Sequence, residues 1–248
     1  MFQVIDDALS LELDLHRYLH ENSEKTFLEN IKINVFNKEF VFIVGMSGVG
    51  KTTLFDVILD FYKGNFFGNK EFTINKLQYN INELKDNAYL GYISQEFQLL
   101  PWLNIEENLY FPLKLNNYIE PFDSPQIKSF LKDLNLENNI LKQYPHDLSY
   151  GMKARISLAR ILLCQPKFLF LDEFFTGIDT INNEFIGNML SNYIHSSDQI
   201  LIIAITHELD KAIEYADKIY VLTNEQELKL IEKPYKKNDI INILKQGV

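Results

Sequence analysis

Residues 45–53 read GMSGVGKTT, a G-x-x-x-x-G-K-T spacing set between the apolar stretches FVFIV and LFDVILDFY. A glycine-rich loop joining a strand to a helix can wrap a phosphate in successive backbone N–H groups at the positive helix end. Gly45, Gly48 and Gly50 let the backbone approach that closely, and Ser47 and Thr53 complete the nucleotide-binding loop. Lys51 is placed to neutralise the β- and γ-phosphates of ATP, and the Thr52 hydroxyl to bind Mg2+. A structural glycine-rich turn is the alternative, but it leaves the Lys51–Thr52 pair and its flanks unexplained.

Four further residues have the same placement at the end of a strand-like run. FLFLDE at 168–173 ends in two acids. Asp172 is suited to hold the metal through water and Glu173 to reach the water that attacks the γ-phosphate; capping of the next helix is the alternative. His207 follows ILIIAIT, and Gln95 follows the short LGYIS, where it could reach metal or water. A lone histidine is usually a satisfied polar residue, but ligands gather at the carboxyl ends of strands in open α/β sheets. A second turn, LSYGMKAR at 148–155, opens an apolar-periodic helix.

The elements that must carry these groups can be read from periodicity. Leu9, Leu11, Leu13 and Leu15 alternate with polar residues, as do Ile31, Ile33 and Val35, which predicts half-buried strands. The Asn37-Lys38 pair predicts a hairpin into FVFIVG, with Asn37 taking the positive φ. The continuous runs at 168–171 and 200–205 predict strands covered on both faces. Between 96 and 165 the strand signal stops, and IEENLYFPLKL, SPQIKSFLKDLNL and SYGMKARISLARILL predict helices separated by Pro101, Pro121, Pro125 and Pro145. The expected fold is α/β: a P-loop NTPase core whose mixed sheet has a parallel centre and an antiparallel N-terminal part, with an inserted α-helical lobe. As a single domain it divides into core at 1–95 and 166–223, lobe at 96–165, and a polar tail at 224–248 that the pattern does not place.

With 248 residues and 46% hydrophobic content, one large core is within reach. The net charge of -10, with no basic stripe, argues against nucleic acid as a partner. Cys164 is the single cysteine, which excludes an internal disulfide and fits the cytoplasm. The N-terminus carries acids where a signal peptide would carry bases, and no apolar run approaches the ~18 residues that cross a bilayer. No membrane insertion of its own is expected.

Taken in order, GMSGVGKTT, Gln95, LSYGMKAR, FLFLDE, TGID at 176–179 and His207 resemble the ATP-binding cassette ATPases, the motor subunits of ABC transporters, over nearly the whole chain. The resemblance implies two ATP molecules sandwiched in a head-to-tail dimer, each between one subunit's phosphate loop and the other's signature turn, with either a second copy or a paralogous ATPase as partner. It implies that Ser149 and Gly151 meet the partner's γ-phosphate, that Asp179 couples the two sites, and that an aromatic upstream stacks on adenine. Tyr18 is the first candidate for that aromatic and Phe27 the second. It also implies a transmembrane permease subunit, which would hold the chain on the inner face of the membrane. Leu99, Leu100 and Trp102 of QLLPWLNIEENLYFPL fall where the permease would dock, with ordinary packing in the lobe as the alternative for Trp102. Three residues depart from the pattern: Tyr150 and Met152 replace the first Gly and the Gln of LSGGQ, and Phe174 replaces the Pro after the catalytic Glu. LLPW and the signature's Met are similar to nitrate, sulfonate and taurine importer ATPases. GMKARISLAR with TGID is similar to phospholipid-trafficking ATPases, and ENLYFPL to that group and the lipoprotein-release type. A soluble cassette acting on DNA or ribosomes and a P-loop small-molecule kinase are the rival readings. The absence of a long coiled coil or a second cassette counts against the first, and the signature turn against the second.

Overall fold

The alternating Leu9, Leu11, Leu13 and Leu15 of β1 (Leu9–His20) all turn inward. In this computed structural model, which describes residues 9–20, 26–61, 64–115, 130–136 and 140–245, β1 pairs antiparallel with β2 (Thr26–Phe36) and β4 (Gly64–Ile74). The strand β5 (Leu77–Tyr79) completes a sheet of order β2-β1-β4-β5.

A second sheet holds β3 (Phe40–Gly45), β6 (Leu90–Ile93), β7 (Phe168–Asp172), β8 (Leu201–Thr206), β9 (Lys218–Leu222) and β10 (Leu228–Ile231) in the order β10-β9-β3-β8-β7-β6. Its five central and edge strands from β9 to β6 run parallel, and β10 joins antiparallel to β9. All six residues of β3 are buried, as a strand covered on both faces requires. Val41 and Ile43 face the antiparallel sheet and helix α1 (Lys51–Leu59). Phe40, Phe42 and Val44 face α4 (Tyr150–Leu162), α5 (Thr180–Ser196), α6 (Leu209–Tyr215) and α7 (Lys237–Lys245).

The hairpin expected at Asn37-Lys38 is not formed. The strand β2 stays with β1, while β3 takes two parallel neighbours, because its unbroken apolar run needs cover on both sides. The turn carries the chain from one sheet to the other, and Lys38, not Asn37, holds the positive φ of 61°. Asn37 instead pins the turn, donating from Nδ2 to the Asp198 carbonyl at 3.1 Å and accepting at Oδ1 from the Ile200 N–H at 3.1 Å.

Helix α2 (Ile81–Asp86) opens on Asn80 with a reciprocal Glu83 capping box and leads into β6. Helix α3 (Ile105–Leu115) packs Ile105, Leu109 and Leu113 against Ile156 and Ala159 of α4. Of the predicted helix SPQIKSFLKDLNL, residues 124–129 with Pro125 lie outside the described residues, as does Pro121 before it, and 130–133 are helical. The polar tail is structured: β10 extends the sheet, and α7 buries Ile240 in the same core as the inner face of α5. Among the described residues no helix is long and apolar enough to cross a membrane. The carboxyl ends of β3, β6, β7 and β8 share one edge, and the loops that leave them carry Gly45 to Gly50, Gln95, Glu173 and His207.

Candidate active site

The loop after β3 turns into α1 through Gly48 and Gly50, whose φ values of 78° and 110° lie in the left-handed region. That backbone is strained for any residue with a Cβ, which fixes the spacing of the motif. Lys51 opens α1 and is only 5% exposed. Its Nζ donates to the Gly45 carbonyl at 3.0 Å and the Met46 carbonyl at 3.1 Å, and lies 3.2 Å from Glu173 Oε1. The loop is thus folded around its own ammonium group.

β7 ends at Asp172, and Glu173 takes a positive φ of 48°, rare for a residue with a side chain. The backbone survives this because the Glu173 N–H donates to the Ile205 carbonyl at 3.0 Å and the side chain is held at both oxygens. Thr176 donates its hydroxyl to Oε2 at 3.0 Å, and His207 Nδ1 meets the same oxygen at 2.9 Å. The carboxylate is 14% exposed and the imidazole 51%, so the pair stands at the mouth of the site. Asp172 accepts from the Thr52 hydroxyl at 3.3 Å and the Tyr92 hydroxyl at 3.2 Å. Burial pushes its carboxyl above the usual range, against the pull of these two hydrogen bonds.

A cleft of about 310 Å³ runs between these groups. Ser47, Gly48, Gly50, Lys51, Thr52 and Thr53 form its floor, and Gln95, Glu173 and His207 form its far wall. Phe27 closes the near side, its ring 3.3 Å from where a Cβ on Gly50 would stand. A larger cavity of about 460 Å³, between residues 130–134 and α5, touches none of these groups.

Oxygen donors are what Mg2+ prefers, and it is commonly held by one carboxylate together with substrate phosphates. Thr52 and Asp172, already hydrogen-bonded to one another, fit that role. Among the described residues no three His, Cys, Asp or Glu gather into a cage, and this mode of binding needs none.

Tyr18 is a correction. It is 2% exposed within the core between the two sheets, so its ring offers no face to a base. Strict alternation would have turned it outward with Glu12 and Asp14. A bulge between Leu15 and Arg17 in the pairing with β4 inserts His16 and inverts the faces beyond it. Phe27, on β2, is the aromatic that lines the cleft.

Ser149, Gly151 and Asp179 are not part of the cleft; they form a second cluster at the start of α4 and α5. Ser149 caps α4, accepting from the Met152 N–H at 3.3 Å, and Asp179 caps α5, accepting from the Asn182 N–H at 3.0 Å. Hydrogen bonds from Asn182 hold the Asp179 carboxyl below its ordinary pKa. Gly151 abuts the Asn182 side chain so closely that a Cβ would stand 2.7 Å from Nδ2. The helix N-terminus of α4 is therefore seated on α5 through a glycine that no larger residue replaces without movement.

Sequence reasoning missed Tyr92, Thr176 and Asn182. Tyr92 lies three residues before Gln95 on β6, the neighbour of β7, and Thr176 and Asn182 each lie three residues after an acid they bond. The signal for the last two was that spacing; for Tyr92 it was strand adjacency, which periodicity alone does not give.

Residues 28–176 match the family described as ABC transporter. The chain is 32% identical over 196 residues to the aliphatic sulfonates import ATP-binding protein SsuB of Bacillus cereus, covering 79% of this chain and 73% of that protein. It is 33% identical over 216 residues to the nitrate import ATP-binding protein NrtD of Synechocystis, covering 85% and 76%. Among solved structures, the dimeric bacterial ABC transporter cassette MJ0796 superposes with a TM-score of 0.74 at 25% identity, covering 91% of this chain and 99% of that one. A post-hydrolysis dimer of MJ0796 bound to ADP and Pi gives 0.73 at the same identity and coverage.

Proposed function

The chain belongs to the ABC transporter family, and from that premise we propose that it closes head to tail with a second copy, or a paralogous ATPase, over two ATP·Mg2+ and drives a separate transmembrane permease. The observation that carries this reading is the Glu173 carboxylate, fixed between Lys51, Thr176 and His207 at the wall of the phosphate-loop cleft.

In this reading Lys51 leaves Glu173 for the β- and γ-phosphates, which gather additional N–H groups from the loop after Gly45. Glu173 then accepts a proton from the attacking water, and His207 holds the carboxylate in line through Oε2. Thr52 and Asp172 would hold Mg2+, with Gln95 reaching metal or water from the loop after β6. Bound Mg2+ offsets the charge that develops on the phosphate oxygens. Phe27 stacks on adenine. Ser149 and Gly151 offer the N-terminus of α4 to the partner's γ-phosphate, and Asp179 couples the two sites.

The relatives named for sulfonate and nitrate import favour the importer type, docked on the inner face of the membrane through its permease. Trp102 supports the docking surface: 70% of it is exposed on a turn that Asn108 brackets. That fully buried amide accepts from the Leu100 N–H at 2.8 Å and donates to the Leu100 and Leu103 carbonyls at 3.0 and 2.9 Å. A large apolar ring on a rigid turn is what an interface anchor needs.

Glu173→Gln tests the reading. The amide keeps the shape but cannot take the proton, so ATP binding should persist while turnover falls by about a hundredfold or more. With ATP and Mg2+ the variant should elute as a dimer. Elution as a monomer, or hydrolysis at the parental rate, sinks the assignment.

A further inference from the structure

Tyr150 is the first residue of α4, and three segments meet on its ring. The ring lies 4.8 Å from that of Phe97, two residues beyond Gln95. Its hydroxyl donates to the Gln95 carbonyl at 3.4 Å, the long limit of a hydrogen bond. On the other side Gly177, with a φ of 76°, passes so near that a Cβ there would stand 3.4 Å from the ring. Phe97 is buried and meets Phe174, the residue after Glu173, edge to face at 5.7 Å. The same α4 grips this loop from deeper in: the Phe97 carbonyl accepts from Ser157 Oγ at 3.0 Å and Arg160 Nη2 at 3.2 Å, and the Gln98 carbonyl from Arg160 Nη1 at 2.9 Å.

Resting on the ATPase reading above, we propose that Tyr150 is a positioning residue for hydrolysis: its ring locks the Gln95 loop and the Glu173–Asp179 turn to the N-terminus of α4. The two segments that present Gln95 and Glu173 to the cleft then move as one body with the helix that reaches the partner's nucleotide. Phe174 completes the lock from the core side, so two residues that depart from the family pattern meet across one ring, Phe97. Because the hydroxyl contact is long and the ring contacts are close, the ring does most of the holding.

The test compares the full chain with Tyr150→Ala and Tyr150→Phe by amide hydrogen exchange and steady-state ATPase kinetics. Alanine keeps the helix propensity of the first turn, so the change isolates the ring. An aromatic pair shifts a local opening equilibrium by roughly two- to tenfold. Tyr150→Ala should speed exchange by that factor in both the 94–98 and 174–178 segments while leaving α3 unchanged. It should also lower kcat at least threefold with KM for ATP within twofold, and Tyr150→Phe should restore both. Unchanged exchange in either segment, a kcat within twofold of the parent, or a phenylalanine variant that behaves as alanine overturns the proposal. A parental chain that fails to hydrolyse ATP defeats the ATPase reading, and the exchange comparison still decides the lock.

Discussion

Trp102→Ala separates a docking anchor from a structural residue, because the structure assigns very different areas to the two roles. A tryptophan presents roughly 250 Å². With 70% of the residue exposed, roughly 175 Å² remains for a docked helix and roughly 75 Å² is already covered. At ~25 cal/mol per Å² the outer area is worth up to ~4 kcal/mol on docking and the inner up to ~2 kcal/mol on folding. Residual burial in the denatured chain lowers the second figure to about 1 kcal/mol. The isolated subunit should therefore lose no more than about 4 °C in Tm. Its affinity for ATP should hold, since Trp102 lines no part of the cleft. Assembly with the permease should weaken by at least ~30-fold, the equivalent of about 2 kcal/mol. Thermal unfolding, ATP titration and recovery of the complex from detergent-solubilised membranes read the three quantities on one variant. A Tm loss well beyond 8 °C, or undiminished recovery per folded molecule, refutes the reasoning.

Two other substitutions follow from the cleft. Phe27→Ala should weaken ATP binding by about 1–2 kcal/mol, roughly five- to thirtyfold, through lost stacking; Tyr18→Phe should leave it unchanged, and the opposite ranking in a binding titration would return the adenine to β1. The raised pKa of Asp172 means that the folded subunit holds this proton more tightly than the unfolded chain. Its contribution to stability is therefore full below the ordinary carboxyl range of about pH 4 and is lost as pH rises through the folded value. Asp172→Asn should flatten that decline in the nucleotide-free protein, and an identical Tm-against-pH profile for parent and variant would count against the burial argument.

Much of the site was legible because the phosphate loop, the Asp172–Glu173 pair and His207 each follow an uninterrupted apolar run. FVFIV, FLFL and ILIIAI have the length and β-rich composition of strands buried on both faces, and the residues after such strands emerge at one edge of a parallel sheet. That Phe27 and not Tyr18 lines the cleft was not legible for a physical reason that can be named. Alternation along β1 is read locally, but the bulge that inverts it is set by pairing with Gly68 on β4, whose φ of 155° is open to glycine. The false hairpin at Asn37-Lys38 fails in a similar way: a tight turn was visible, but which sheet claims the strand beyond it depends on β8 and β9, more than 150 residues later. The C-terminal strand and helix escaped because their apolar patterns are short: Leu228 and Leu230 alternate about Lys229 over four residues, and Ile240, Ile243 and Leu244 mark barely one turn of α7, with only Ile240 fully buried.

On the proposed ATPase reading, the contact between Lys51 and Glu173 would impose an order of events. Both ends of the carboxylate are engaged by the protein itself, one oxygen by the ammonium group and the other by His207 and Thr176. A water molecule that enters before the nucleotide meets a base whose charge is already answered. Phosphates compete for the same ammonium group, so their arrival and the release of Glu173 are a single exchange. On that reading the lysine would work as an interlock. It follows that Lys51→Ala does not isolate phosphate affinity: the variant also leaves a 14%-exposed carboxylate without its cation, and its loss of turnover must be read as two changes made at once.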